Sequence, residues 1–272
     1  MIMEYKTKKL IEYLQPSGKY RIDWGCGCGD LLMWYPQFLY LKEIYPDCHF
    51  DLYCESGQEE IFGTVFDRDE TPYDHVFHLN FPMSEGSDLR KAEKSGLEEI
   101  GFTPEQIKEI PEVATLPPCP APGGWVDKLS DKLVGVHYHG TALPNSVGCP
   151  EPVARQIWQE VKQAGYTPIE THFIHIYNNP VNVLFPWIDF HMRDHKATLS
   201  NLFGLIQRCQ AFIGVASGPL VVALSTFPER TMYLEKKHPL KTYITDERVS
   251  SVNVEAYESG SVLRWLEGLK DG

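Results

Sequence analysis

Apolar and polar positions along the first half of the chain alternate between short apolar-rich runs and longer periodic stretches. Residues 20–24 predict a strand, and the glycine-rich turn Gly25-Cys26-Gly27-Cys28-Gly29 follows it. Asp30 opens a helical stretch that continues to about Tyr45 and stops at Pro46-Asp47. Pro36 falls inside that stretch, where it is tolerated near the first turn and kinks the helix if deeper. Residues 49–54 predict a second strand and residues 73–81 ("YDHVFHLNF") a third. Strand, glycine turn, helix and strand in this order are the βαβ rhythm of a parallel sheet. Residues 88–110 are charged and helical in pattern, but Gly96, Gly101 and Pro104 divide them into two short helices. The acidic positions over 93–112 read as a solvated helix face.

Residues 115–124 ("TLPPCPAPGG") break the rhythm with four prolines and two glycines, a density that no helix or strand survives. Proline stiffens such a segment, so it predicts a semi-rigid linker. Alternation then restarts. Strands are expected over 133–137, 171–177, 211–215 and 231–234, and helices over 152–164, 199–209, 220–225 and 260–269. Val153, Ile157 and Val161 share a face of the first of these helices, and Gly165 caps it. Each half is therefore a Rossmann-like α/β unit, and the fold class is α/β with two such domains.

The length of 272 residues, at roughly 150 per domain, agrees with two lean domains or one large one. A hydrophobic fraction of 43% with 23% charged residues excludes a disordered chain. The net charge of −12 argues against a sequence-independent grip on nucleic acid or on an anionic membrane. It leaves room for a small anionic ligand, because helix-start N–H groups hold phosphate without basic side chains. No segment reaches the ~18 apolar residues of a membrane span, and the apolar stretch over 31–41 follows no basic leader and is not read as a signal peptide. The odd count of seven cysteines predicts reduced thiols and a cytoplasmic protein. Cys26 and Cys28 are spaced too closely for a zinc knuckle and no second pair answers them, so no metal is expected.

The turn before Asp30 admits two kinds of chemistry. Glycines between strand and helix let a ligand approach the backbone, and "DWGCGCG" resembles the first motif of class I methyltransferases. In that alternative Gly25, Gly27 and Gly29 bind S-adenosylmethionine and Glu55 holds its ribose. The other reading rests on Asp30, projected from the helix start, which could equally serve only to cap that helix. The run downstream favours the second. "GDLLMWYPQFLYLKEIYPDCHFDLY", with Gly29-Asp30, Pro36, Tyr45-Pro46-Asp47 and Asp51, resembles the opening of the family 9 glycosyltransferases, the heptosyltransferase family. "YDHVFHLNF" resembles that family's next strand, and "VGVHYHGTA" the first strand and loop of its nucleotide-binding domain. Ser217-Gly218-Pro219-Leu220 match its Ser-Gly-Pro-Leu run residue by residue. The resemblance covers most of residues 20–235 and is weak over 85–130 and 178–197.

The resemblance implies a compact, divergent member of the GT-B fold, two Rossmann-like domains facing a cleft. Residues 1–118 would be the acceptor domain, 119–130 a linker and 131–255 the nucleotide-sugar domain, with residues 256–272 packing back on the N-terminal domain. It implies transfer of a sugar from a nucleotide-diphosphate sugar, a co-substrate rather than a cofactor, to a glycan or other hydroxyl acceptor without a metal. Asp30 would be the general base, with Gly29 beside it on the acceptor side. Ser217, Gly218, Pro219 and Leu220 would hold the diphosphate, and His137, His139, Gly140 and Thr141 would be further donor contacts. The chain departs from the family at Ala216 and Val221, where the family has Asp and His, and near 145–150, where its lysine-bearing run keeps only Pro150. A second alternative is therefore a non-catalytic nucleotide- or sugar-binding relic. His172 and His175 read as structural, and His191, Asp194 and His195 as a solvated loop rather than a metal site.

Overall fold

The computed structural model describes residues 10–25, 27–54, 58–62, 64–65, 72–79, 101–110, 115–140, 148–171, 185–190, 192, 198–236 and 247–270. The chain divides into two compact units, 1–114 and 115–272.

The first unit is built on a four-stranded parallel sheet of order β3-β2-β1-β4, with β1 at Lys19–Trp24, β2 at His49–Cys54, β3 at Thr64–Val65 and β4 at His75–Leu79. Helix α1 (Cys28–Ile44) connects β1 to β2, α2 (Glu59–Phe62) leads to β3, and α3 (Pro104–Glu109) follows β4. Alternation along β1 turns Tyr20, Ile22 and Trp24 into the core and Arg21 and Asp23 to the opposite face. The Trp24 ring stacks on Trp34 with centroids 5.0 Å apart, so α1 covers the apolar face. Buried residues occur all around α1, including Leu31, Leu32, Met33, Trp34, Phe38 and Leu41. Pro36 lies in the middle of α1, beyond the first turn, and the helix continues through it. The ring nitrogen has no hydrogen, so the Leu32 carbonyl lacks its usual partner there. Of the two short helices expected over 88–110, α3 is described; residues 80–100 lie outside the described set.

The second unit holds a five-stranded parallel sheet of order β6-β5-β7-β8-β9. Its strands are β5 (Leu133–His137), β6 (Thr167–Glu170), β7 (Ala211–Gly214), β8 (Thr231–Glu235) and β9 (Ser250–Asn253). Helices α4 (Glu151–Gln163), α5 (Leu199–Arg208), α6 (Gly218–Thr226) and α7 (Ser261–Gly268) complete it. Central β5 and β7 are buried throughout, as strands covered on both faces must be. Two of these strands depart from the sequence reading. The strand after α4 is Thr167–Glu170 rather than one beginning at Thr171; residues 172–177 lie outside the described set. Pro168 lies within β6, which is the sheet edge, where a missing N–H is tolerated. Strand β9 is polar, alternately half-buried and exposed, and was not expected.

The proline-rich segment belongs to the second unit and lies along α5. Gln207 takes part twice, its Oε1 accepting from the Cys119 N–H at 2.8 Å and its Nε2 donating to the Pro117 carbonyl at 2.9 Å. Asn201 donates to the Pro120 carbonyl at 3.1 Å. A Cβ on Gly204 would stand 2.4 Å from the Pro120 backbone, so only glycine admits this approach.

The C-terminal helix is tied to α4 in its own unit. The buried Glu160 carboxylate accepts from the backbone N–H groups of Gly260 (2.8 Å), Val262 (3.1 Å) and Leu263 (3.1 Å), and from the Tyr257 hydroxyl (2.9 Å). It satisfies the first donors of α7 and neutralises the positive end of its dipole. Within its own unit this helix packs on α4.

Candidate functional site

In an open parallel sheet, ligands bind outside the carboxyl ends of the strands where the strand order reverses. Each unit has one such point, between β1 and β4 in the first and between β5 and β7 in the second.

At the first of these, Gly27 caps α1 with extended backbone, and Leu31 N–H bonds to the Gly27 carbonyl at 3.0 Å. Asp30 is the third helical residue and partly buried. The backbone N–H groups of Gly27 and of Asp30 itself lie near its carboxylate and favour its charged form. Burial nevertheless dominates and pushes its pKa up from 3.8 to about 6, the two N–H groups acting in the opposite sense. A carboxylate so placed is ionised at neutral pH and basic enough to take a proton. Cys26 and Glu55 lie outside the described residues.

At the second point, β5 and β7 end side by side. His137 is in register with Gly214, and Val215 N–H bonds to the His137 carbonyl at 3.0 Å. Ser217 precedes α6 as its N-cap, and its hydroxyl turns back to the Val215 carbonyl at 2.9 Å instead of capping. Val221 N–H is bonded to the Ser217 carbonyl. Gly218 and Leu220 therefore present first-turn N–H groups with no partner inside the helix, and Pro219 has none to present. The structure thus brings His137, Ser217, Gly218, Pro219 and Leu220 to one edge. Val221 is buried in the core, and Ala216 offers no charge.

His137 is buried rather than presented on a loop. The Thr171 hydroxyl lies 3.1 Å from the Val136 carbonyl and 3.3 Å from His137 Nδ1, and it can donate to either. Glu170 Oε1 lies 3.8 Å from the same nitrogen. Burial pushes the Glu170 carboxyl well up, against a bond from Tyr138 N–H. Its Oε2 and the Tyr138 hydroxyl are both buried without a partner among the described residues. This buried pair was not singled out from the sequence. His139 is half-buried, with its ring 4.8 Å from Phe185, and forms a β-bridge with Gly148; Gly140 is buried. Thr141, residues 145–147, His172, His175, His191, Asp194 and His195 lie outside the described set.

No protein-family model matches the sequence, and no curated protein sequence does. Solved structures do. A family 9 glycosyl transferase from Veillonella parvula aligns over 94% of this chain and 98% of its own, with a TM-score of 0.63 at 12% identity. The E. coli ADP-heptose LPS heptosyltransferase II aligns over 92% and 98%, with a TM-score of 0.63 at 14% identity. The chain has the fold of the solved heptosyltransferases. TibC from enterotoxigenic E. coli, an iron-containing dodecameric glycosyltransferase, shares it at a TM-score of 0.58 and 17% identity; the alignment covers 81% of this chain and 58% of TibC. TibC has also been solved with ADP-D-β-D-heptose. Among the described residues no three His, Cys, Asp or Glu side chains converge where they could hold a metal ion. Cys48, Cys119, Cys149 and Cys209 are free thiols, and no described helix is long and apolar enough to cross a membrane.

Proposed function

We propose that this chain is a cytoplasmic, metal-independent glycosyltransferase that moves a sugar from a nucleotide-diphosphate sugar to a hydroxyl acceptor. The observation that carries this is Asp30, a carboxylate held at about 6 at the switch point of the first sheet, on a fold shared with heptosyltransferases. In this reading the first unit takes the acceptor. Asp30 removes the proton of the attacking hydroxyl as the bond from the sugar carbon to the diphosphate breaks. The second unit takes the donor. Its α6 N–H groups at Gly218 and Leu220, with the helix dipole behind them, meet the charge that develops on the leaving diphosphate. Backbone donors supply this charge stabilisation where the family's Asp, His and Lys are missing.

ADP-heptose is the donor to test first, because solved neighbours bind it. Asp30→Asn is expected to slow transfer by about 10²–10⁴-fold, the usual contribution of a general base, with ADP affinity unchanged. Transfer at the wild-type rate in this variant would refute the role of Asp30. Thermal stabilisation by S-adenosylmethionine and by no nucleotide would refute the whole reading. A second reading, a binding protein that has lost transfer, is favoured by the uncharged Ala216 and the core-buried Val221. It predicts binding of the nucleotide-sugar with neither transfer nor slow hydrolysis.

A further inference from the structure

Asp23 and His78 face each other across neighbouring strands. They are paired in register between β1 and β4, so their side chains leave the same face of the sheet. That face is opposite to the one α1 covers. Each residue is next to last in its strand, so the pair stands at the carboxyl edge where the strand order reverses.

The Asp23 side chain is only 5% exposed, whereas that of His78 is 75% exposed. Asp23 Oδ1 accepts from Arg21 Nε at 2.5 Å, and Oδ2 lies 3.1 Å from His78 Nδ1. A carboxylate ion paired with a guanidinium only accepts, so Nδ1 carries the proton. When the ring is uncharged, Nε2 is then its lone-pair acceptor. Among the described residues this face also carries Lys19 and Arg21 of β1, His49, Asp51 and Tyr53 of β2, and Val76 of β4; the Tyr53 ring centroid lies 3.8 Å from the Arg21 guanidinium, and Asp51 accepts from the Tyr73 hydroxyl. A buried acid holding one nitrogen of an exposed imidazole is the arrangement by which a base is oriented toward a ligand.

We propose that His78 binds the acceptor, its Nε2 accepting a hydrogen bond from a hydroxyl of a neutral polyhydroxyl molecule, with Asp23 as the positioning residue that fixes the tautomer. This rests on the reading of the first unit as the acceptor side. It names the acceptor class as uncharged and sugar-like, because the fixed tautomer offers a lone pair where an anion would need a donor.

The test uses the full chain, ¹⁵N-labelled and observed by NMR at pH 8, with mannose as the hydroxyl probe and methyl phosphate as the anion probe. His78 is expected as the Nδ1–H tautomer, with ring signals that mannose shifts saturably and methyl phosphate does not. His78→Ala, a change at the surface, is expected to raise half-saturation by mannose by about tenfold, the worth of one hydrogen bond. Asp23→Asn is expected to turn the ring to the Nε2–H tautomer, because the amide that replaces the carboxylate can donate to Nδ1. An Nε2–H tautomer in the wild type, signals moved by methyl phosphate alone, or unchanged mannose binding in His78→Ala would each overturn the proposal. If Asp23→Asn does not fold, the wild-type tautomer and His78→Ala decide. Asp30→Asn separates the two readings. Transfer that survives it counts against Asp30 as base, while the His78 tautomer and the mannose response remain the measure of this proposal.

Discussion

Replacing Asp30 by asparagine separates what the carboxylate costs the fold from what it contributes to chemistry. Its folded pKa is raised from 3.8 to about 6. The native state therefore binds the proton more tightly than the unfolded chain. Stability from this group is fully present below pH 3.8, declines as pH rises, and is lost once pH passes about 6. The shift of about two units, at 1.36 kcal/mol each, sets a penalty of about 3 kcal/mol at pH 8. Asparagine keeps the shape and an acceptor oxygen and carries no charge. Asp30→Asn is therefore expected to stabilise the first unit by about 2–3 kcal/mol more at pH 8 than at pH 4, while losing transfer. Urea unfolding of both proteins at the two pH values measures this, with the transition assigned to the first unit by hydrogen exchange of peptides from β1 and α1. Equal effects of the substitution at pH 4 and pH 8 would refute the claim that burial governs this carboxylate. Activity purchased with local instability is a common trade at catalytic sites.

Three further outcomes are expected. Glu160→Ala leaves three backbone donors and the Tyr257 hydroxyl without their carboxylate; it should destabilise the second unit by about 2–4 kcal/mol, seen as early exchange of α7 amides, and Glu160→Gln should lose less. Gly204→Ala places a methyl against the Pro120 backbone and should cost about 1–3 kcal/mol by overpacking, with protease sensitivity appearing over 115–124. Glu170 is favoured in its neutral form, so wild-type stability should fall as pH rises above the usual carboxylate range; Glu170→Gln should flatten that slope, read from melting temperatures between pH 5 and pH 9.

Most of both sheets was legible because burial on two faces writes continuous apolar runs, as in "LVGVH" at β5 and "AFIG" at β7. The three strands that were missed or displaced, β3, β6 and β9, are all sheet edges, where one side of the ladder is open and the apolar signal fades. Asp30 was legible because the glycine turn and the helix start lie next to it in sequence. Asp23 and His78 were not, since 55 residues separate them and only the parallel register of β1 and β4 joins them. A trace was present in the alternation of "RIDW", which puts Arg21 and Asp23 on a face opposite to the apolar residues. Buried Glu170 left no trace, because its environment comes from β5 and the residues packed over it rather than from its neighbours in sequence.

The clasp between Pro120 and Gly204 has a consequence for how the protein is made and dissected. Residues 117–121 leave the ribosome some eighty residues before the helix that holds them, so the second unit closes around a strip of chain that has waited for it. That strip acts as a splint, fixed to one side only after α5 forms. A second unit cut to begin at residue 131, where the strand pattern restarts, would leave the groove over Gly204 empty and both Gln207 bonds unmade. One that begins at Thr115 carries its own filling.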